Sequence, residues 1–281
     1  MNGRWRGLLA QGMTLSGLAQ RGFFIPYRYA AKVARSGRRP SYGAVETLLR
    51  SREDAFLAFL STIDGFAPEL ERIGREAPPA PRWTQDWFPR LDAAAAYALV
   101  RSLKPRRIVE VGAGHSTRFV VRAIRDGGLD TAITAIDPAP RADLSSLPVE
   151  IICSTVQEAG ENVFADIEEC DVLMIDSSHI LVPGSDVDLL LNRILPTLSA
   201  GAVVHVHDIF LPDNYPDDWA WRGYNEQLGV APLLFGGAFE VLFSSRYVAT
   251  RMAGAVAATV VGRLPLVEGA TESGLWLRKK T

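Results

Sequence analysis

Ile108-Val-Glu-Val-Gly-Ala-Gly-His-Ser-Thr117 is the stretch from which the fold is read. Ile108 to Val111 form a short apolar run suited to a fully buried strand, and Ser116 to Asp126 carry a helical period. Between them stand Gly112 and Gly114, which lack a Cβ. The turn can therefore visit positive φ, and its N–H groups can come close to a ligand. The helix that follows directs its partly positive N-terminus at the same spot. Glu110 sits at the carboxyl end of the strand, where a carboxylate can neutralise a cationic ligand group or accept hydrogen bonds.

A dinucleotide fingerprint, G-x-G-x-x-G, uses its third glycine for close helix–strand packing. Here that position is Thr117. Asp137 closes the next apolar run, Ala132 to Ile136, 25 residues beyond Gly112, and an acidic side chain there can take both hydroxyls of a ribose. The combination of E-x-G-x-G with a strand ending in Asp resembles the S-adenosylmethionine site of class I methyltransferases. The resemblance runs from about Trp83 to Arg278 and is closest to a bacterial branch with the motifs E-V-G-x-G-x-S-T, I-D-S-S-H and H-D-I-F-x-P-x-x-Y-P. It implies an α/β, Rossmann-like fold: a seven-stranded sheet with helices on both faces. It also implies S-adenosylmethionine as cofactor, held by Glu110, Gly112, Gly114, His115, Ser116 and Asp137, with Gln157 at the adenine edge and Asp176 and Ser177 close by.

From Arg107 onward short β-branched runs alternate with helical segments, the pattern of a parallel sheet. The expected strands are Ile108–Val111, Ala132–Ile136, Val149–Cys153, Val172–Ile175, Ala202–His207, Phe239–Phe243 and Gly274–Arg278, the last antiparallel. Helices are expected at Leu91–Leu103, with Asp92 as its start signal, and at Ser116–Asp126, Pro140–Ser145, Gly160–Ile167 and Ser185–Leu198. Ligands of such sheets bind beyond the carboxyl ends of the strands, near the switch in strand order. Polar residues gather at those ends: His115 and Ser116, Asp137, Gln157, then Asp176-Ser-Ser-His179, and finally His205, His207 and Asp208. All four histidines of the chain belong to this set. His205 lies one pleat deeper than His207 and reads as a core or supporting histidine.

Asp176 after a buried strand, followed by His207-Asp208 after the next, is similar in position to the catechol-type and macrolide-sugar O-methyltransferases, which bind magnesium there. The resemblance implies Asp176, His207 and Asp208 as ligands of a divalent metal. His207 departs from the pattern, because magnesium prefers hard oxygen ligands whereas imidazole suits softer ions. Without a metal, His179 or His207 is the candidate general base, since imidazole titrates near neutrality, with Asp208 or Asp176 holding its tautomer. The following segment, Ile209 to Gln227, is rich in Pro, aromatics and Asp and reads as a lid. Tyr215, Trp219, Arg222, Tyr224 and Asn225 are its candidate acceptor-binding residues, with Trp221 and Gln227 beside them. Arg118 and Arg141 are placed either at an anionic acceptor or in salt bridges.

Residues 1–40 carry eight Lys/Arg and no acidic residue, interleaved with aromatic and aliphatic side chains. The preferred reading is a helical extension packed on its own or a partner subunit as a homo-oligomer. A basic amphipathic arm on an anionic membrane is the second, and a transit peptide the third. A helical period over Val45 to Arg75 follows, then the stiff Pro78-Pro-Ala-Pro81. The chain thus divides into a basic arm and helical extension, 1–80, and a main domain, 81–281. Trp83, Trp87 and Phe88 either wall a pocket or close the core.

A formal net charge of −2 gives no global pull toward nucleic acid. Cys153 and Cys170 lack metal spacing and read as reduced core residues of a cytoplasmic protein. No apolar run reaches the ~18–20 residues of a spanning helix, and no secretory signal is evident. The expected activity is methyl transfer from S-adenosylmethionine to a small molecule, at oxygen. The rivals are an NAD-type oxidoreductase, disfavoured by Thr117 and Glu110, and a non-catalytic ligand-binding or scaffold protein.

Overall fold

The computed structural model describes residues 3–33, 39–140 and 143–280. A first helix, α1 (Gly3–Leu15), is followed by α2 (Gly43–Arg50), α3 (Glu53–Asp64), the single turn α4 (Ala67–Leu70) and α5 (Arg90–Leu103). Strand β1 (Arg107–Val111), helix α6 (His115–Gly127), β2 (Ala132–Ile136) and β3 (Glu150–Ile152) come next. Beyond a short α7 (Val156–Ala159) lie β4 (Val172–Ile175), α8 (Asp186–Leu189), β5 (Val203–Val206), α9 (Glu226–Phe235), β6 (Phe239–Ser244), α10 (Ser245–Arg251), α11 (Ala253–Ala257) and β7 (Leu275–Lys279).

The seven strands form one sheet in the order β3-β2-β1-β4-β5-β7-β6. Strands β1 to β5 run parallel, and β7 inserts antiparallel between β5 and β6. β1, β4 and β5 are buried along almost their whole length, as expected of parallel strands covered on both faces. The chain order reverses between β1 and β4, so the carboxyl ends of these two strands flank the crevice in which such sheets bind ligands. α5 and α6 pack together beside it, and each ends on a left-handed residue, Lys104 at φ 51° and Gly128 at φ 56°.

Every expected strand is present, with ends shifted by at most one or two residues. The helices depart further. Gly160–Ile167 resolves into α7 and a turn of 3-10 helix, Glu161–Phe164. Ser185–Leu198 starts as α8, capped by Ser185, then widens into a π turn at Leu190–Ile194 and ends in 3-10 geometry around Pro196. Of Pro140–Ser145, Asp143 to Ser145 are not helical, and Arg141 lies outside the described residues. Asp92 stands in the first turn of the helix that starts after Pro89, without capping it. It lies inside α5, fully buried, and accepts the N–H groups of Ser273 and Gly274 ahead of β7. The cysteines are free but are not core residues: Cys153 is exposed and Cys170 half-buried.

The helical extension joins the main core. Val45, Leu49, Phe56, Leu60 and Ile63 belong to the same cluster as the sheet, Phe56 meets Phe243 of β6 edge-on at 5.8 Å, and Arg52 pairs with Glu240 at 2.7 Å. The division at residue 80 therefore falls inside one continuous core. The aromatic segment before α5 splits: Trp83 and Phe88 are buried against Phe119, while Trp87 is 58% exposed.

Candidate active site

The glycine turn after β1 is built by its neighbours. Gly112 has φ 82°, and a Cβ there would stand 2.1 Å from the Asp176 carbonyl oxygen, so the close passage of β1 and β4 requires glycine. Gly114 differs, since a Cβ there would meet nothing within 4 Å. The carboxylate of Asp137, at the end of β2, accepts the N–H groups of Ala113 (2.9 Å) and Ala139 (2.8 Å). It thus stands beside the turn, half-buried.

Glu110 is not offered to a ligand. It is 1% exposed, and its two oxygens receive the hydroxyls of Ser116 (2.5 Å) and Thr117 (2.6 Å). Burial raises its carboxyl to about 7 against the pull of those hydroxyls. Thr117 also accepts the Gly114 N–H at 2.9 Å, so the residue in the third fingerprint position ties strand, turn and helix together. His115 opens α6 with Nδ1 buried and without a hydrogen-bond partner. Burial and the charges of Arg118 and Arg82 lower its pKa to about 4, so its ring is neutral.

Beyond β4 and β5 a second cluster forms. His179, buried and left-handed at φ 61°, holds Nδ1 2.8 Å from Glu226 Oε2. Its Nε2 lies 3.2 Å from Asp176 Oδ1 and 3.6 Å from Asp208 Oδ2. Burial opposes the charge on His179, but the hydrogen bonds to Asp176 and Glu226 outweigh it and hold the imidazole well above its usual value. For Asp176 the partial loss of solvent works against charge, and the His179 hydrogen bond and the charge of His207 overcome it, lowering the carboxyl to about 2. The Asp176 side chain is 44% exposed. His179 is thus a fixed cation gripped by carboxylates, an arrangement opposed to a role as general base.

His207 points elsewhere. Its Nε2 meets the Trp87 carbonyl at 3.0 Å, its Nδ1 is buried without a partner, and Asp208 is 3.7 Å away. Asp208, left-handed at φ 55°, accepts the Ser273 hydroxyl. His205 is buried and stacked on Trp276 at 4.5 Å; burial lowers it to about 3, a neutral core ring. A divalent ion does not fit this set. His207 is turned to a backbone carbonyl, the Nε2 of His179 already faces both Asp176 and Asp208, and the described residues contain no group of three or more His, Cys, Asp or Glu arranged to hold a metal.

The lid covers the cluster. Tyr224 lies on the His179 ring at 4.5 Å, Trp219 and Tyr215 meet Tyr224 edge-on at 5.9 Å, and the Arg222 guanidinium stacks over Trp219 at 4.1 Å. Asn225 is committed to structure, exchanging two hydrogen bonds with the backbone of Leu181. Gln157 is exposed and donates to the Gly184 carbonyl; Ser177 donates to Glu226. Arg118 donates to the Asp143 carbonyl. Glu226, the partner that fixes His179, was not singled out from the sequence. Its place one residue into α9, behind Asn225, carries no signal until the lid is folded.

Residues 109–209 match the family model described as a methyltransferase domain. The match takes in 101 of the chain's 281 residues. The matched segment runs from β1 to just beyond Asp208 and so contains the glycine turn, Asp137 and, of the His179 cluster, all but Glu226. No curated protein matches the chain. Among solved structures, similarity extends to an S-adenosylhomocysteine-bound methyltransferase from Podospora anserina, at 16% identity over 92% of this chain and 100% of that one, with a TM-score of 0.43. An O-methyltransferase from Bacillus cereus in complex with S-adenosylhomocysteine shares 12% identity over 80% and 91%, with a TM-score of 0.40. The O-methyltransferase TomG from Streptomyces achromogenes, involved in tomaymycin synthesis and bound to S-adenosylmethionine, shares 16% over 68% and 80%, with a TM-score of 0.42. At these scores the fold of the methyltransferase domain rests on its own strand order.

Proposed function

We propose that this chain transfers a methyl group from S-adenosylmethionine to an oxygen of a small-molecule acceptor. The observation that carries the reading is Asp137: its carboxylate is braced by the Ala113 and Ala139 N–H groups, next to Gly114, whose Cα faces open space. A carboxylate so placed has lone pairs left for ribose hydroxyls, and the uncovered glycine allows close approach of a bulky nucleoside. The buried, unpartnered Nδ1 of His115 is a further polar group at the same turn. When bound, S-adenosylmethionine supplies a methyl group on a cationic sulfur.

The chain's own residues contribute alignment and charge. His179 holds Asp176 ionised and fixed, with its side chain partly exposed, so that it can accept a hydrogen bond from an acceptor hydroxyl, orient the oxygen and receive its proton on the way to solvent as the methyl group moves. Tyr215, Trp219 and Tyr224 form the aromatic wall against which the acceptor packs, with Arg222 stacked behind. Asp208 supports the cluster from 3.6 Å off His179 Nε2, with His207 3.7 Å from Asp208. In this reading the metal is dispensable, residues 81–281 are the catalytic portion, and 1–80 is an extension. The basic arm offers a separate surface, for a bilayer or a second copy of the chain. The free cysteines suit a cytoplasmic setting, and no helix among the described residues is long and apolar enough to cross a membrane.

Calorimetry with S-adenosylhomocysteine tests the assignment. Binding is expected, and Asp137→Ala should weaken it by roughly 10- to 100-fold, the worth of hydrogen bonds to a charged group. Equal affinity in a variant with an unchanged melting temperature removes the ribose role from Asp137.

A further inference from the structure

The N-terminal arm has a surface unlike the rest of the molecule. Eleven of the seventeen large hydrophobic side chains exposed among the described residues lie between Trp5 and Val33, from 48% exposed at Tyr29 to 80% at Leu18. On α1, Trp5, Leu8 and Leu9 face outward, while Gly7, Ala10 and Met13 are half-buried. Beyond the helix, Phe23, Phe24 and Ile25 are exposed as well. The same forty residues hold eight Lys/Arg and no acid, and Arg28 and Lys32 lie over the Tyr29 ring, each at 5.5 Å from its centroid. So large a cluster of exposed apolar groups marks an interaction site.

We propose that residues 5–33 dock on the surface of an anionic lipid bilayer. Charge complementarity selects this occupant: an arm with only cations is drawn to an anionic headgroup layer, while aromatic and aliphatic side chains partition just beneath it. The arm lies on the bilayer and does not span it, since α1 has only 13 residues. It is also joined to the lid. α1 packs against the 3-10 turn Asp217–Arg222, and a Cβ on Gly7 would stand 3.9 Å from the Trp221 carbonyl. At the arm's other end Asn214 Nδ2 donates to the carbonyls of Arg39 and Pro40, and the Tyr42 N–H donates to Pro212. Docking therefore sets the lid against the lipid surface.

The test is co-sedimentation of the full chain with vesicles of phosphatidylcholine mixed with phosphatidylglycerol, and with vesicles of phosphatidylcholine alone. Binding to the mixed vesicles should exceed that to the neutral ones by roughly tenfold or more and should weaken with added salt. The combined variant Leu8→Ser, Phe23→Ser, Phe24→Ser should lose at least about tenfold of its partitioning at an unchanged melting temperature. A separate variant, Arg21→Gln, Arg28→Gln, Lys32→Gln, should lose the preference for anionic lipid. Absence of binding at low salt overturns the proposal, as does binding that both variants retain. A wild-type dimer that the serine variant converts to monomer, with no vesicle binding, assigns the face to a second copy and overturns it as well.

Discussion

Glu226 Oε2 lies 2.8 Å from His179 Nδ1, with both side chains almost wholly out of water. The opposite edge of the same imidazole faces Asp176 and Asp208. One ring thus binds the start of α9 to the ends of β4 and β5. Removing either member of the pair leaves a buried group without its partner. His179→Gln and Glu226→Gln should each cost about 3–5 kcal/mol, and the double variant should cost less than their sum by about 1–3 kcal/mol. Urea unfolding of the four proteins measures this, and strictly additive losses would show that the two side chains act independently. The His179 contribution is expected to be complete below its ordinary pKa of 6.5, to outlast that pH because the folded value is raised, and to fade on passing the raised value.

Glu110 sets a different pH signature. Its folded pKa is raised from 4.5 to about 7 by burial, so its contribution is full below 4.5, declines as pH rises, and levels off above 7. The decline amounts to about 3 kcal/mol. Thermal melts between these pH values should show the wild type losing more stability than Glu110→Gln. Parallel curves would contradict the buried-acid reading.

The two glycines of the turn should behave oppositely. Gly112→Ala collides with the Asp176 carbonyl at a left-handed φ and should destabilise by roughly 3 kcal/mol or more. Gly114→Ala has room and should melt like the wild type, yet bind S-adenosylhomocysteine at least about tenfold more weakly, because its methyl group occupies the ligand's side of the turn. Calorimetry and melting curves on both variants separate the roles. A Gly114→Ala protein with full affinity would move the cofactor away from this turn.

Chelation should leave function intact. Dialysis against EDTA is expected to change neither S-adenosylhomocysteine affinity nor methyl transfer, and elemental analysis of the purified chain should find less than stoichiometric divalent metal. Restoration of lost activity by magnesium or manganese would restore the metal reading of Asp176, His207 and Asp208.

The sheet was legible in the sequence because each central strand is a short, mostly apolar run bounded by polar residues, and Ala132–Ile136 and Val172–Ile175 match to the residue. The residues of the turn and of the strand ends were legible for the same reason, since a parallel sheet delivers its carboxyl ends to one edge. Their partners were not. Glu110 looks like a ligand group until Ser116 and Thr117 fold back on it. His207 looks like a base until the Trp87 carbonyl, 120 positions away, meets its ring. Asp92 reads as a helix start although it serves the backbone near β7, 181 residues later. Such contacts depend on which segments the fold brings together, and local periodicity holds no record of them. The arm was legible in part: its helix forms as Gly3–Leu15, while its large side chains stand in solvent on the single chain.

His179 and Asp208 both adopt left-handed backbone, at φ 61° and 55°, where a side chain with a Cβ costs about 1–2 kcal/mol that glycine would not. Local comfort would favour glycine at both corners. Each corner therefore tolerates discomfort for the sake of the group it aims at its neighbour, and natural variants that lose the imidazole should drift there toward glycine or asparagine rather than toward other bulky residues.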